Sequence, residues 1–85
     1  MDRILKEPSE NRIAGFREVR KAINNNRLRC VTIATDTDQN MLLELQGLCR
    51  QNGIEISFCS SRATLGKKLG LEVPCSVCGI KKSEN

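Results

Sequence analysis

CVTIATDTDQNMLLELQGLCRQNGIEISF, residues 30–58, decides the fold. Cys30-Val31-Thr32-Ile33-Ala34 is short, apolar and β-branched, and predicts a buried strand. Thr35-Asp36-Thr37-Asp38 follows, and each of the four is a good helix N-cap. Met41, Leu42, Leu45, Leu48 and Cys49 recur at helical spacing and mark one helix face. Gly53 stands where a helix-ending glycine belongs. Ile54, Ile56 and Phe58 then alternate with Glu55 and Ser57, the pattern of a second strand. Strand, helix, strand in so short a span is a crossover unit, which implies a sheet with helices on its faces.

Working outward, Asn11 to Ala14 predicts a short strand that Gly15 breaks. Phe16, Val19, Ala22 and Ile23 fall at helical spacing, and Asn24-Asn25-Asn26 ends that helix by competing for its own backbone. Downstream, Ser60 or Ser61 caps a third helix carrying Leu65 and Leu69, Gly70 closes it and Pro74 stops any continuation. Cys75 to Ile80 reads as the last strand. Residues 1–10 read as a tail or short helix, 11–80 as a single α/β domain, and 81–85 as a C-terminal tail. An 85-residue chain has room for no more, since it buries only about 63% of its unfolded surface.

Composition narrows the chemistry. The chain is 39% hydrophobic and 28% charged, which is globular. Phe16 and Phe58 are the only aromatics, which weighs against a domain that stacks bases on exposed rings. Histidine is absent, which removes Ser/His and Cys/His nucleophile pairs. No segment approaches the ~20 apolar residues of a membrane span. The polar N-terminus does not read as a signal peptide, so the five cysteines are expected as reduced thiols in the cytoplasm. Net charge is +4 and unevenly spread: residues 1–29 and 61–85 are basic, while 30–60 hold four acids against Arg50 alone. Folding the two ends together makes one basic face, suited to a polyanion. The plainer reading is ordinary scatter on a solvated surface.

Four motifs each have a plain structural explanation beside a functional one. Cys75-Ser-Val-Cys78 has no second ligand pair, and on a strand residues 75 and 78 would face opposite sides, so buried thiols are expected and no zinc. Asp36-Thr37-Asp38 at a strand's end would suit a magnesium-dependent phosphohydrolase, or simply cap the next helix. Cys59-Ser60-Ser61-Arg62 lies where phosphate loops occur, but the phosphatase spacing would need Arg at position 65, which is Leu. Gly15-Phe16-Arg17-Glu18-Val19-Arg20-Lys21 puts a glycine and a cluster of charge at a helix N-terminus, where backbone N–H donors are free.

These segments occur in a telling order: Gly15 to Lys21, Val31 to Asp38, Leu48-Cys49 to Ile54, Ser61-Arg62-Ala63-Thr64-Leu65-Gly66, then Gly70-Leu71-Glu72-Val73-Pro74. Over residues 11–80 the chain resembles the kink-turn-binding ribosomal proteins of the L7Ae/L30e type, in particular the short bacterial single-domain members. That resemblance implies a three-layer α/β/α sandwich around a mixed four-stranded sheet. It also implies binding to the kink-turn, an RNA helix bent at a bulge beside tandem sheared G·A pairs. Gly15, Glu18, Val19 and Lys21 match the family's helix motif. Arg17 stands where Asn or Lys is usual and Phe16 where a small residue is usual. The family's contact loop maps onto Leu71, Glu72, Val73 and Pro74, and Arg62 falls on a position that is often basic.

The expected function is therefore non-catalytic, ribosomal-protein-like recognition of structured RNA, with no cofactor, no metal, no membrane, no DNA, and a monomeric protein. Gly15, Phe16, Arg17, Glu18, Arg20, Lys21, Arg62, Leu71, Glu72, Val73 and Pro74 would form the RNA site, with Lys67 and Lys68 adding charge. The alternatives are a ribosome- or protein-associated scaffold of the same fold without kink-turn affinity, and the hydrolase built on Asp36 and Asp38.

Overall fold

A computed structural model describes residues 11–82. The expected tail or short helix over 1–10 lies outside the described residues, as does most of the expected tail over 81–85. Among the described residues seven elements follow in order: β1 (Arg12–Ala14), α1 (Phe16–Asn24), β2 (Leu28–Ala34), α2 (Gln39–Gln51), β3 (Glu55–Cys59), α3 (Arg62–Lys68) and β4 (Val77–Lys81). The sheet order is β1-β4-β2-β3. β2 and β3 are parallel, while β4 runs antiparallel to both β1 and β2. The chain is thus α/β with the mixed four-stranded sheet that the family resemblance implies.

Helices cover both faces. Val19, Ala22 and Ile23 of α1 and Leu45 and Cys49 of α2 pack with Leu28, Val31, Ile33 and Val77 on one face. Leu65 of α3 packs with Cys30, Ala34, Cys59, Cys75, Cys78 and Ile80 on the other. β2 and β4 supply side chains to both cores, which is why their sequences read as continuous apolar runs rather than alternations. β2 starts at Leu28, two residues before the predicted strand, because a register irregularity lies between Leu28 and Cys30. It turns Leu28 into the α1/α2 core, where it fills the space a side chain at Gly79 would need: a Cβ there would lie 2.6 Å from Leu28 Cδ1.

Two expectations need correction. Cys75 is not in the last strand, which begins at Val77. Its amide is held by the Arg62 carbonyl at 3.1 Å, so it belongs to the loop seated on α3. Strand alternation therefore does not separate it from Cys78, and both thiols enter the α3-side core. Phe58, read as part of an apolar strand face, is 45% exposed, because β3 is an edge strand.

Candidate nucleic-acid interface

The end of the sheet holding the C-termini of β1, β2 and β3 and the start of β4 gathers the loops and helix starts singled out above. Gly15 joins β1 to α1 with φ of 103°, a conformation L side chains rarely adopt. Nothing lies within 4 Å of the Cβ it lacks, so glycine serves the backbone path and not a close contact. Its amide donates to the Val77 carbonyl at 3.0 Å, and its own carbonyl takes the first α1 hydrogen bond, from Val19. Among the described residues no side chain caps α1. The first-turn amides, which have no intrahelical acceptor, remain as donors at the positive end of the helix.

Hydrogen bonds tie the neighbouring loops to this point. Ala34 N–H donates to Ser76 O at 2.8 Å, and the buried Thr37 hydroxyl donates to the same carbonyl at 3.2 Å. Thr35 donates through N–H to Cys59 O and through its hydroxyl to Ser60 O. Asp36 Oδ1 accepts the Arg62 amide at 2.8 Å and lies 3.7 Å from its Nε. Asp38 caps α2, accepting from the amides of Asn40 and Met41. Ser61 caps α3 by accepting the Thr64 amide at 3.1 Å.

The loop from Leu71 to Pro74 is seated by Gly66. A Cβ on that glycine would stand 2.3 Å from the Val73 carbonyl oxygen, so only glycine lets the loop lie against α3. The Leu71 amide donates to Gly66 O at 2.9 Å, and the Cys75 amide to Arg62 O closes the far side. Held this way, the loop presents Leu71 (40% exposed) and Val73 (63% exposed), with Glu72 and Pro74 also exposed. Leu71 and Val73 are thus two apolar side chains turned outward from one braced loop.

The structure places Gly15, Arg17 and Glu18 at the start of α1, and Arg62 and the 71–74 loop at and along α3, whereas Lys21 lies in the last turn of α1, beside Asn25, Arg27 and Lys81. Arg20 differs: its Nη1 bonds Glu44 of α2 at 3.1 Å, and its guanidinium lies 5.2 Å from the centre of the Phe16 ring. Arg20 thus links α1 to α2, with its guanidinium against the Phe16 ring of its own helix. Sequence reasoning quoted Gly66 at the end of the 61–66 run but gave it no role, although a glycine inside a seven-residue helix was the signal. Asp38 caps α2 as the plainer sequence reading had it, whereas the contact of Asp36 with Arg62, 26 positions away, was not foreseen. Among the described residues no three metal-ligating side chains converge.

Two bacterial proteins named as RNA-binding proteins are similar to this chain. One, from Caldanaerobacter subterraneus subsp. tengcongensis, is 27% identical over 62 residues, 73% of this chain and 76% of that protein. Another, from Staphylococcus aureus strain JH9, is 22% identical over 81 residues, 95% of this chain and 96% of that one. Among solved structures, the Giardia lamblia 15.5kD RNA binding protein superimposes with a TM-score of 0.81 at 29% identity, over 88% of this chain but only 63% of that one. A Bacillus halodurans protein of unknown function shares the fold, with a TM-score of 0.81 at 23% identity over 88% of this chain and 75% of that one. The model of the ribosomal protein L7Ae/L30e/S12e/Gadd45 family matches residues 5–85, and the chain belongs to that family.

Proposed function

We propose that this chain is an RNA-binding protein that recognises and stabilises kink-turn RNA without catalysing a reaction. The observation that carries the reading is the pairing, at one end of the sheet, of an uncapped helix start at Gly15 with a rigid apolar loop seated on Gly66. The helix start offers N–H donors and the Glu18 carboxylate to base edges. Leu71 and Val73 offer an apolar cover for an extruded nucleotide. Arg17, Lys21, Arg62, Lys67 and Lys68 place positive charge against phosphates. RNA-binding is the description carried by the relatives on either side of the resemblance, the bacterial proteins and the Giardia protein.

What favours RNA recognition over the hydrolase alternative is that Asp36 Oδ1 accepts the Arg62 amide and Asp38 Oδ2 caps α2, a structural role for each carboxylate. The test is a titration of the protein, a monomer in the cytoplasm on this reading, with a kink-turn RNA. A matched duplex, its G·A pairs replaced by Watson–Crick pairs, is the comparison. Much tighter binding of the kink-turn is expected, and equal binding of the two RNAs would reject the reading.

A further inference from the structure

A second positively charged surface lies away from the loop cluster. Where α1 passes the β1–β4 side of the sheet, a groove of about 400 Å³ is lined by Arg12, Lys21, Arg27 and Lys81, with Glu18 the one carboxylate among the described residues that line it. Arg27 and Lys81 are 54 positions apart in the chain, and the fold unites them: Lys81 pairs with Leu28 across the β2–β4 ladder, next to Arg27. The backbone there is fixed. Arg27 N–H donates to Ala22 O at 2.9 Å, Lys82 N–H donates to Arg27 O at 2.8 Å, and Lys82 Nζ donates to the Asn26 side chain at 2.9 Å.

Two observations say that this charge is for an external anion. First, three of the cations are uncommitted. Arg20 and Arg62 are neutralised by Glu44 and Asp36, whereas among the described residues Lys21, Arg27 and Lys81 make no ion pair. Holding like charges around a concave wall is unfavourable unless an anion enters it. Second, the groove is continuous with the proposed RNA site. Glu18 and Lys21 line it, and Lys21 also borders the outer surface formed by Arg17, Arg20 and Asn24. From Glu18 to Asn25 the groove follows α1 for about 10 Å at 1.5 Å per residue.

We propose that this groove is a backbone track for RNA: it takes the phosphates of one of the two stems flanking the bend, beyond the bases met by α1 and the 71–74 loop. The proposal rests on the kink-turn reading and extends its footprint to the far end of α1. Its contacts are to phosphate alone, so they add affinity and salt dependence without base preference.

The experiment compares short-stem kink-turn RNA with RNAs in which each stem in turn is lengthened by one helical turn. Wild-type protein and the double variant Arg27→Gln/Lys81→Gln are each titrated over a range of salt, with thermal melts confirming that both are folded. One lengthened RNA is expected to bind wild-type protein more tightly than the short one. On that RNA the double variant should lose the gain, and its log–log salt slope should flatten by about two, one per lost phosphate contact. On short RNA the two proteins should agree. If short RNA binds tightly and neither extension helps, or the variant keeps the gain, the track is refuted while the kink-turn reading stands. If wild-type protein prefers no kink-turn RNA at all, the reading falls and takes the track with it.

Discussion

Glu18 is where opposing physical effects meet most sharply. A carboxylate beside a polyanion is electrostatically unfavourable, so on charge alone its removal should tighten RNA binding. A carboxylate also has only acceptors, and guanine in a sheared G·A pair has N–H donors to spare. At the first turn of α1 the helix dipole favours negative charge as well. Glu18→Ala is expected to weaken kink-turn binding by about 1–3 kcal/mol, the range of one good base contact. Binding to a plain duplex should hold level or tighten. Paired titrations at one salt concentration read the difference, and a mutant that binds the kink-turn as well as wild type would reduce Glu18 to a solvated helix residue. The glycine-led start of α1 was legible because Gly15 and the helical spacing after it fall in one short run and are local signals. The engagement of Arg20 was not, since its partner Glu44 lies on another helix, 24 positions away.

The elements were legible where their signals are local, and their edges were not. Asp38, Ser61, Gly53 and Gly70 stand at the predicted caps and ends of α2 and α3, because capping is decided within a few residues. The start of β2 was hidden because Leu28 sits between Arg27 and Arg29, and only the irregular pairing with β4 turns it inward. Cys75 was misplaced because what holds it, the Arg62 carbonyl, belongs to the preceding helix. The glycines of α2 and α3 test this distinction between local propensity and tertiary fit. Gly47 has open space where a methyl group would stand, whereas Gly66 would drive one into the Val73 carbonyl. Gly47→Ala should therefore raise stability by about 0.5–1 kcal/mol, the ordinary helix gain over glycine. Gly66→Ala should lower it and weaken kink-turn binding, because the displaced oxygen is backbone and the 71–74 loop must move with it. Melting curves and titrations on both variants check the pair. Unchanged RNA affinity in Gly66→Ala would separate the loop from the site.

At the scale of the whole molecule, the segregation of charge along the chain carries into the fold only in part. The acidic middle segment neutralises two basic residues, through Glu44–Arg20 and Asp36–Arg62, and leaves the cations around α1 and the end of β4 unbalanced. With a handful of phosphates neutralised there, the log–log slope of kink-turn affinity against salt should be about −3 to −5, and a slope near zero would remove RNA backbone from the account. The two cores make a separate prediction, about pH. Burial pushes the Cys49 thiol, in the α1/α2 core, from 9.0 up to about 11. Burial, with the neighbouring Cys75 thiol adding to it, pushes Cys78 in the α3-side core up to about 12. Between pH 9 and these values the unfolded chain loses both protons while the folded chain keeps them. The unfolded state then binds fewer protons, so stability must fall as pH rises. The contribution is fully present below pH 9 and is lost by about pH 11 for Cys49 and pH 12 for Cys78. The comparison is with Cys49→Ala, which lowers stability at neutral pH by opening a cavity but removes one titrating thiol. Denaturant midpoints measured from about pH 8 to pH 11 should fall more steeply in wild type than in the variant, the two curves converging as pH rises. Parallel curves would mean that Cys49 ionises as readily inside the fold as outside it, and that the α1/α2 core is open enough to hydrate a thiolate.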